Sequence, residues 1–195
     1  MASIEELMAA SERSIKISMG GPLAERRVRA AMASARPDSA GWCRYYDPQT
    51  PTACHEAGHL IVCAALSEPF VWVSIRPLPN SGGRLVLGDK PVDPDHDAPP
   101  GTSDRVQIVN RMRLLWLGLG SPGWREMLAV IRRLRAETNQ LLDRYWLYVE
   151  TVTNRLLVRL QMDRAEVETL LVGLRRGGCT DRYRDVRCRR ARPAQ

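Results

Sequence analysis

The chain holds three histidines, His55, His59 and His96, and the first two stand four positions apart in the run His55-Glu56-Ala57-Gly58-His59. Four residues turn an α-helix by about 400°, so on a helix both imidazoles leave from nearly the same angle. Two ring nitrogens placed in this way can reach one zinc ion at about 2.0–2.1 Å. Glu56 stands beside the first of them. A carboxylate in that position can take a proton from a zinc-activated water as it attacks a carbonyl, then pass the proton to the leaving amine. The H-E-x-x-H pattern therefore carries a hydrolytic mechanism when it lies on a helix. The plainer reading is an exposed helix edge with two ordinary histidines. The flanks argue against it, because Ala53 precedes the motif and Leu60-Ile61-Val62 follows. Such a helix is expected to be buried, and an unpaired polar group there costs about 1–3 kcal/mol. A metal would supply the partner. Gly58 costs the helix about 1 kcal/mol relative to Ala, which points to a close backbone approach at that position.

Zinc in a hydrolytic site takes a third protein ligand and keeps one position open. The metzincin pattern would put Gly at position 62 and His at position 65, where this chain has Val62 and Ala65. No E-x-x-x-D segment of the thermolysin kind follows either. The residues alone leave Asp104, His96, Asp95 and Asp97 as candidates. Asp104 opens an expected helix, whereas the other three lie in a proline-rich loop. An acid at the start of a helix is also an ordinary partner for the helix dipole, so Asp104 has a structural reading beside the ligand reading.

The elements that must position these residues follow from periodicity and turn chemistry. Thr50-Pro51 is a good helix start, with Thr as cap and Pro at the first helical position. That helix is expected to end before Pro69. Val71 to Pro77 is β-branched and aromatic and predicts a strand. Asn80 to Gly83 is turn chemistry, and Arg84 to Leu87 predicts the returning strand of a hairpin. Residues 3–34 predict one or two helices broken near Gly20-Gly21-Pro22. One apolar stripe there is Ile4, Leu7 and Met8, and a second is Leu23, Val28 and Met32. After a loop over 88–102, Thr102 or Ser103 is expected to cap a helix with Val106, Val109, Met112, Leu115 and Trp116 on one face. Ser121-Pro122-Gly123 ends it. Helices at about 124–135 and 137–160 and a short one from Asp163 to Leu174 complete the chain. The expected fold class is mainly α, of α+β type, with one small sheet.

Composition narrows the function classes. A length of 195 residues suits one domain. The formal charge is +7, but eight arginines between Arg175 and Arg192 face only Asp181 and Asp185, so +6 of it lies in the C-terminal tail. That tail, 175–195, reads as a solvated, disordered extension. Nucleic-acid binding through it is disfavoured, because Tyr183 is the one aromatic among the arginines available for stacking. The five cysteines contain no C-x-x-C pair, which argues for reduced thiols in a cytoplasmic protein rather than a disulfide framework. The longest strongly apolar stretch, Leu60 to Leu66, is far short of the ~20 residues of a membrane span. The first residues carry early acids and no apolar core, unlike a secretory signal.

The stretch TACHEAGHLIVCAALSEPFVWVSIRP resembles the peptidase domain of the FtsH-type, AAA-linked zinc proteases. In that family a helix bearing HEAGH is followed by an apolar run, a V-x-x-V-[ST]-I strand and a Gly-containing second strand, here Val71 to Pro77 and Gly82 to Gly88. A short S-D motif then opens a helix, and its Asp is the third zinc ligand. Gly101-Thr102-Ser103-Asp104 matches it. A long helix such as residues 137–157 is also usual in the family. The resemblance covers roughly residues 50–172, after an N-terminal helical segment and loop over 1–49, with the metallopeptidase domain closing at 174. It implies a zincin-like helical domain with a hairpin beside the HExxH helix, Zn2+ on His55, His59 and Asp104, and Glu56 as general base. Three departures bear on function. No AAA ATPase or G-x-x-x-x-G-K-[ST] loop is present, so ATP-driven unfolding is not implied. Asp89 to Pro100 replaces a helix usual in the family. No transmembrane anchor is seen.

The expected activity is therefore a zinc endopeptidase acting on flexible or unfolded polypeptide. An extended peptide pairing with the sheet edge near Arg84 to Leu87 would bring its carbonyl to the metal. Leu85→Pro should then raise KM for peptides, and an unchanged value would rule the placement out. The competing reading is an inactive peptidase-like module that binds a partner protein, such as a separate ATPase.

Overall fold

The computed structural model describes residues 3–34, 47–76, 83–88, 104–120 and 122–176, the side chains of 173–176 excepted. The expectations for Asn80 to Gly82, the loop bearing Asp95, His96 and Asp97, the caps Thr102 and Ser103, and the tail beyond 176 lie outside these residues. The elements run α1 (Ile4–Ser34), α2 (Thr50–Ala65), β1 (Phe70–Ser74), β2 (Arg84–Leu87), α3 (Asp104–Gly118), α4 (Trp124–Arg144), α5 (Trp146–Arg159), β3 (Gln161–Asp163) and α6 (Arg164–Arg176). The protein is mainly helical with one small antiparallel sheet, as its sequence predicts.

α1 starts at a reciprocal cap. Ser3 Oγ accepts from the Glu6 N–H at 3.1 Å, and Glu6 Oε2 accepts from the Ser3 N–H at 2.7 Å. The expected break near Gly20-Gly21-Pro22 does not occur, and the helix runs through Pro22. The glycines serve packing instead. A Cβ built on Gly58 would lie 2.4 Å from the Gly20 carbonyl oxygen and 2.6 Å from Ala24 Cβ. Two helix backbones can meet this closely only where side chains are missing. Of the expected stripes, Val28 is buried, whereas Ile4 and Leu7 are exposed.

α2 is buried on almost every side, from Ala53 through Cys63. Gln49, not Thr50, is its cap residue, and the Thr50 hydroxyl is buried with no hydrogen-bond partner among the described residues. The main core joins Ala24 and Val28 of α1 to Leu60 and Val62 of α2, Val73 of β1, and Val149, Val152 and Leu156 of α5. A second cluster, Ile15, Met19, Leu115 and Leu134, ties α1 to α3 and α4.

The two expected strands pair antiparallel, the first running Phe70–Ser74, with Val73 opposite Leu85 and Ser74 opposite Arg84. The sheet has a third strand that the sequence reading lacked. β3 pairs antiparallel with β1, giving the order β2-β1-β3. β2 is therefore an edge strand. The helix break expected near residue 136 falls at Tyr145 instead. Ala136 carries no breaker chemistry, and Thr138 fits the helix by donating its hydroxyl to the Leu134 carbonyl at 2.8 Å. In α3 only Leu115 is buried, so Val106, Val109 and Trp116 are exposed rather than part of a core stripe. Among the described residues, no helix is long and apolar enough to cross a membrane.

Candidate metal centre

α2 presents His55 and His59 one turn apart, and the first residue of α3 faces them. Their Nε2 atoms are 3.0 Å apart. Asp104 Oδ2 lies 2.9 Å from His55 Nε2, and Asp104 Oδ1 lies 3.2 Å from His59 Nε2. These three side chains form a group that could hold a metal ion. The Asp104 carboxylate is spent on the histidines, which decides against a purely capping role.

The histidines are also held from behind, by α1. His55 Nδ1 is 2.7 Å from Glu25 Oε2, and His59 Nδ1 is 2.6 Å from the Ile17 carbonyl oxygen. A carbonyl oxygen can only accept, so the second contact puts the proton on His59 Nδ1. The Gly21 N–H also lies 3.3 Å from that nitrogen, but the shorter carbonyl contact dominates. Glu25 asks the same of His55. Both Nε2 atoms then turn lone pairs toward each other and toward a carboxylate. Three acceptors at such distances repel unless a cation, either added protons or a metal, stands among them. Two nitrogens bound to one tetrahedral zinc at about 2.0–2.1 Å would be about 3.3 Å apart, close to the spacing found. The donor set fits a divalent metal of the zinc type.

The charges report the same demand. Burial disfavours the His55 cation, yet the Asp104 hydrogen bond and the Glu56, Asp104 and Glu25 carboxylates outweigh it and lift its pKa to about 9. His59 is also raised: burial opposes this, and Asp104 and Glu56 prevail. Asp104 moves the opposite way. Its burial works upward, but the two histidines hold its carboxyl well below the ordinary value.

Glu56 is buried at 6% exposure beside the pair. Burial raises its pKa, with the histidine charges acting in opposition. Its carboxylate abuts the start of β2, where a Cβ on Gly83 would lie 2.8 Å from Glu56 Oε1. A similar fit surrounds His59, since a Cβ on Gly21 would lie 2.4 Å from its Nε2. Cys54 and Cys63 are free thiols pushed up to about 12, mainly by burial, and so are poor nucleophiles near neutral pH.

The structure thus brings together His55, Glu56, His59 and Asp104, while His96 lies outside the described residues. The sequence reading missed Glu25 and the Ile17 carbonyl. Nothing in their spacing points to them, because they reach the site across a helix-helix contact. No family model matches the chain, and neither the curated proteins nor the solved structures contain a match to it.

Proposed function

We propose that the chain is a zinc-dependent endopeptidase acting on flexible or unfolded polypeptide. The observation that carries this is the meeting of two imidazole Nε2 atoms and the Asp104 carboxylate within hydrogen-bonding distance of one another, directly beside a buried glutamate. Bound zinc supplies Lewis acidity and lowers the pKa of water to around 7. The protein's own part is proton movement and placement. Glu56 takes the proton of the attacking water on its carboxylate and delivers it to the leaving amine. Its raised pKa suits a group that must hold that proton between the two transfers. The edge position of β2, with Gly83 against Glu56, supports entry of an extended peptide along that strand.

A second reading is an inactive peptidase-like module for a partner protein, such as a separate ATPase. The observation favouring it is the exposed Val106, Val109, Trp116 and Leu117 on α3, with Trp124 just beyond. Casein or a peptide library, with and without chelator, separates the two. Zinc-loaded protein should hydrolyse the peptide, and Glu56→Gln should bind zinc yet lose at least about 100-fold in rate. If Glu56→Gln and the unaltered protein behave identically, the enzyme reading fails.

A further inference from the structure

We infer that α1 is a working part of the metal site, with Glu25 the positioning residue that fixes His55 and the Ile17 carbonyl its counterpart for His59. The inference rests on a metal occupying the site. It does not require that peptides be hydrolysed there.

Two independent contacts from one helix carry it. Glu25 Oε2 receives His55 Nδ1–H at 2.7 Å, and the Ile17 carbonyl receives His59 Nδ1–H at 2.6 Å. The two acceptors lie eight residues apart, a little over two helical turns, so they share one face of α1. Gly21 lies between them and leaves room for the His59 ring. The Gly20–Gly58 contact brings α1 near enough to α2 for both bonds to form. Glu25 is itself oriented by Arg29, whose Nε donates to it at 2.8 Å. Each bond fixes a ring plane and a tautomer, and the Glu25 carboxylate also adds electron density to His55. Outer partners of this kind typically change metal affinity by about 10–100-fold.

The test is zinc affinity, measured by chelator competition on the full chain. Glu25→Ala should weaken zinc by about 10–100-fold, and Glu25→Gln, which keeps an acceptor but loses the charge, should weaken it by less than about 10-fold. Ala suits a helix at least as well as Glu, so the fold should survive, and circular-dichroism melting of the metal-free variants checks that. Arg26→Ala, at an exposed position of the same helix, removes a neighbouring charge without touching the site and should stay within about threefold of the unaltered chain. Nitrogen-15 NMR of the zinc-loaded protein should show a slowly exchanging proton on His55 Nδ1, lost in Glu25→Ala. The inference is overturned if Glu25→Ala binds zinc within about threefold of the unaltered chain, or if Arg26→Ala weakens zinc as much as Glu25→Ala does. An unaltered chain that binds no zinc overturns it together with the peptidase reading. Zinc binding without hydrolysis overturns the peptidase reading alone.

Discussion

His55 and His59 are chemically the same residue in opposed surroundings. His55 has a carboxylate on each ring nitrogen, whereas His59 has a backbone carbonyl on one and the shared Asp104 on the other. His55 therefore binds a proton more tightly than a free imidazole, up to about 9 against an ordinary 6.5. The folded value lies above the unfolded one. In the metal-free chain its contribution to stability is complete below pH 6.5 and is lost as the pH rises through about 9. Zinc needs the same lone pair, so loading near pH 7 must expel that proton. Zinc affinity should then climb between pH 7 and 9, by up to about tenfold per unit for each proton displaced. Calorimetric titration in buffers of differing ionisation enthalpy would show the release directly, and an affinity flat over this window would contradict it. At this scale the sequence was legible where chemistry is local. His55, Glu56 and His59 are read from spacing, and the resemblance singled out Asp104. Glu25 was not legible, since one of four glutamates on a helix that also carries four arginines looks like any solvated acid.

Elements are where local rules misled. Gly20-Gly21-Pro22 has the composition of a helix break, yet α1 continues through it. Propensity weighs a helix against water, and here the missing side chains are filled by another helix. The same glycine signal read correctly at Gly58, where the expected close approach is present. The third strand leaves no signature in the sequence, because Gln161-Met162-Asp163 is too short to show alternation and its pairing with β1 is fixed by the chain leaving α5. The Gly20–Gly58 contact sets both stability and site geometry, which gives a sharp expectation. Gly58→Ala would normally favour a helix, but here the new methyl would strike the Gly20 carbonyl and Ala24. Overpacking of this kind costs about 1–3 kcal/mol. For a chain of this size that lowers Tm by roughly 2–12 °C. It should also weaken zinc by prising α1 from the histidines. A thermal melt of Gly58→Ala at or above the unaltered Tm would show that the helices are not in contact there.

Across the whole molecule, the site draws on three helices that the core does not hold equally. α1 and α2 share the main core, and the histidines belong to α2. α3 has one buried residue, Leu115, near its far end, with Ile108 and Met112 only partly covered. Its first turn is tied to α2 by Asp104, through the two histidines, and to α1 by Gln107, whose Oε1 accepts from Ser18 Oγ at 3.4 Å. A metal at that point would be a cross-link between α2 and the little-buried start of α3, and ligand binding stabilises most what is otherwise cheapest to open. Zinc should therefore slow amide hydrogen exchange unevenly. Residues Asp104 to Ile108 should gain at least about tenfold in protection, while α5, already within the core, changes little. Chelation should return α3 to faster exchange even though Asp104 still meets the histidines. Asp104→Ala should bind zinc weakly and show no zinc-dependent protection of α3. Equal protection of all helices on adding zinc would mean that the metal stabilises the fold globally, and that α3 is anchored by something other than its first residue.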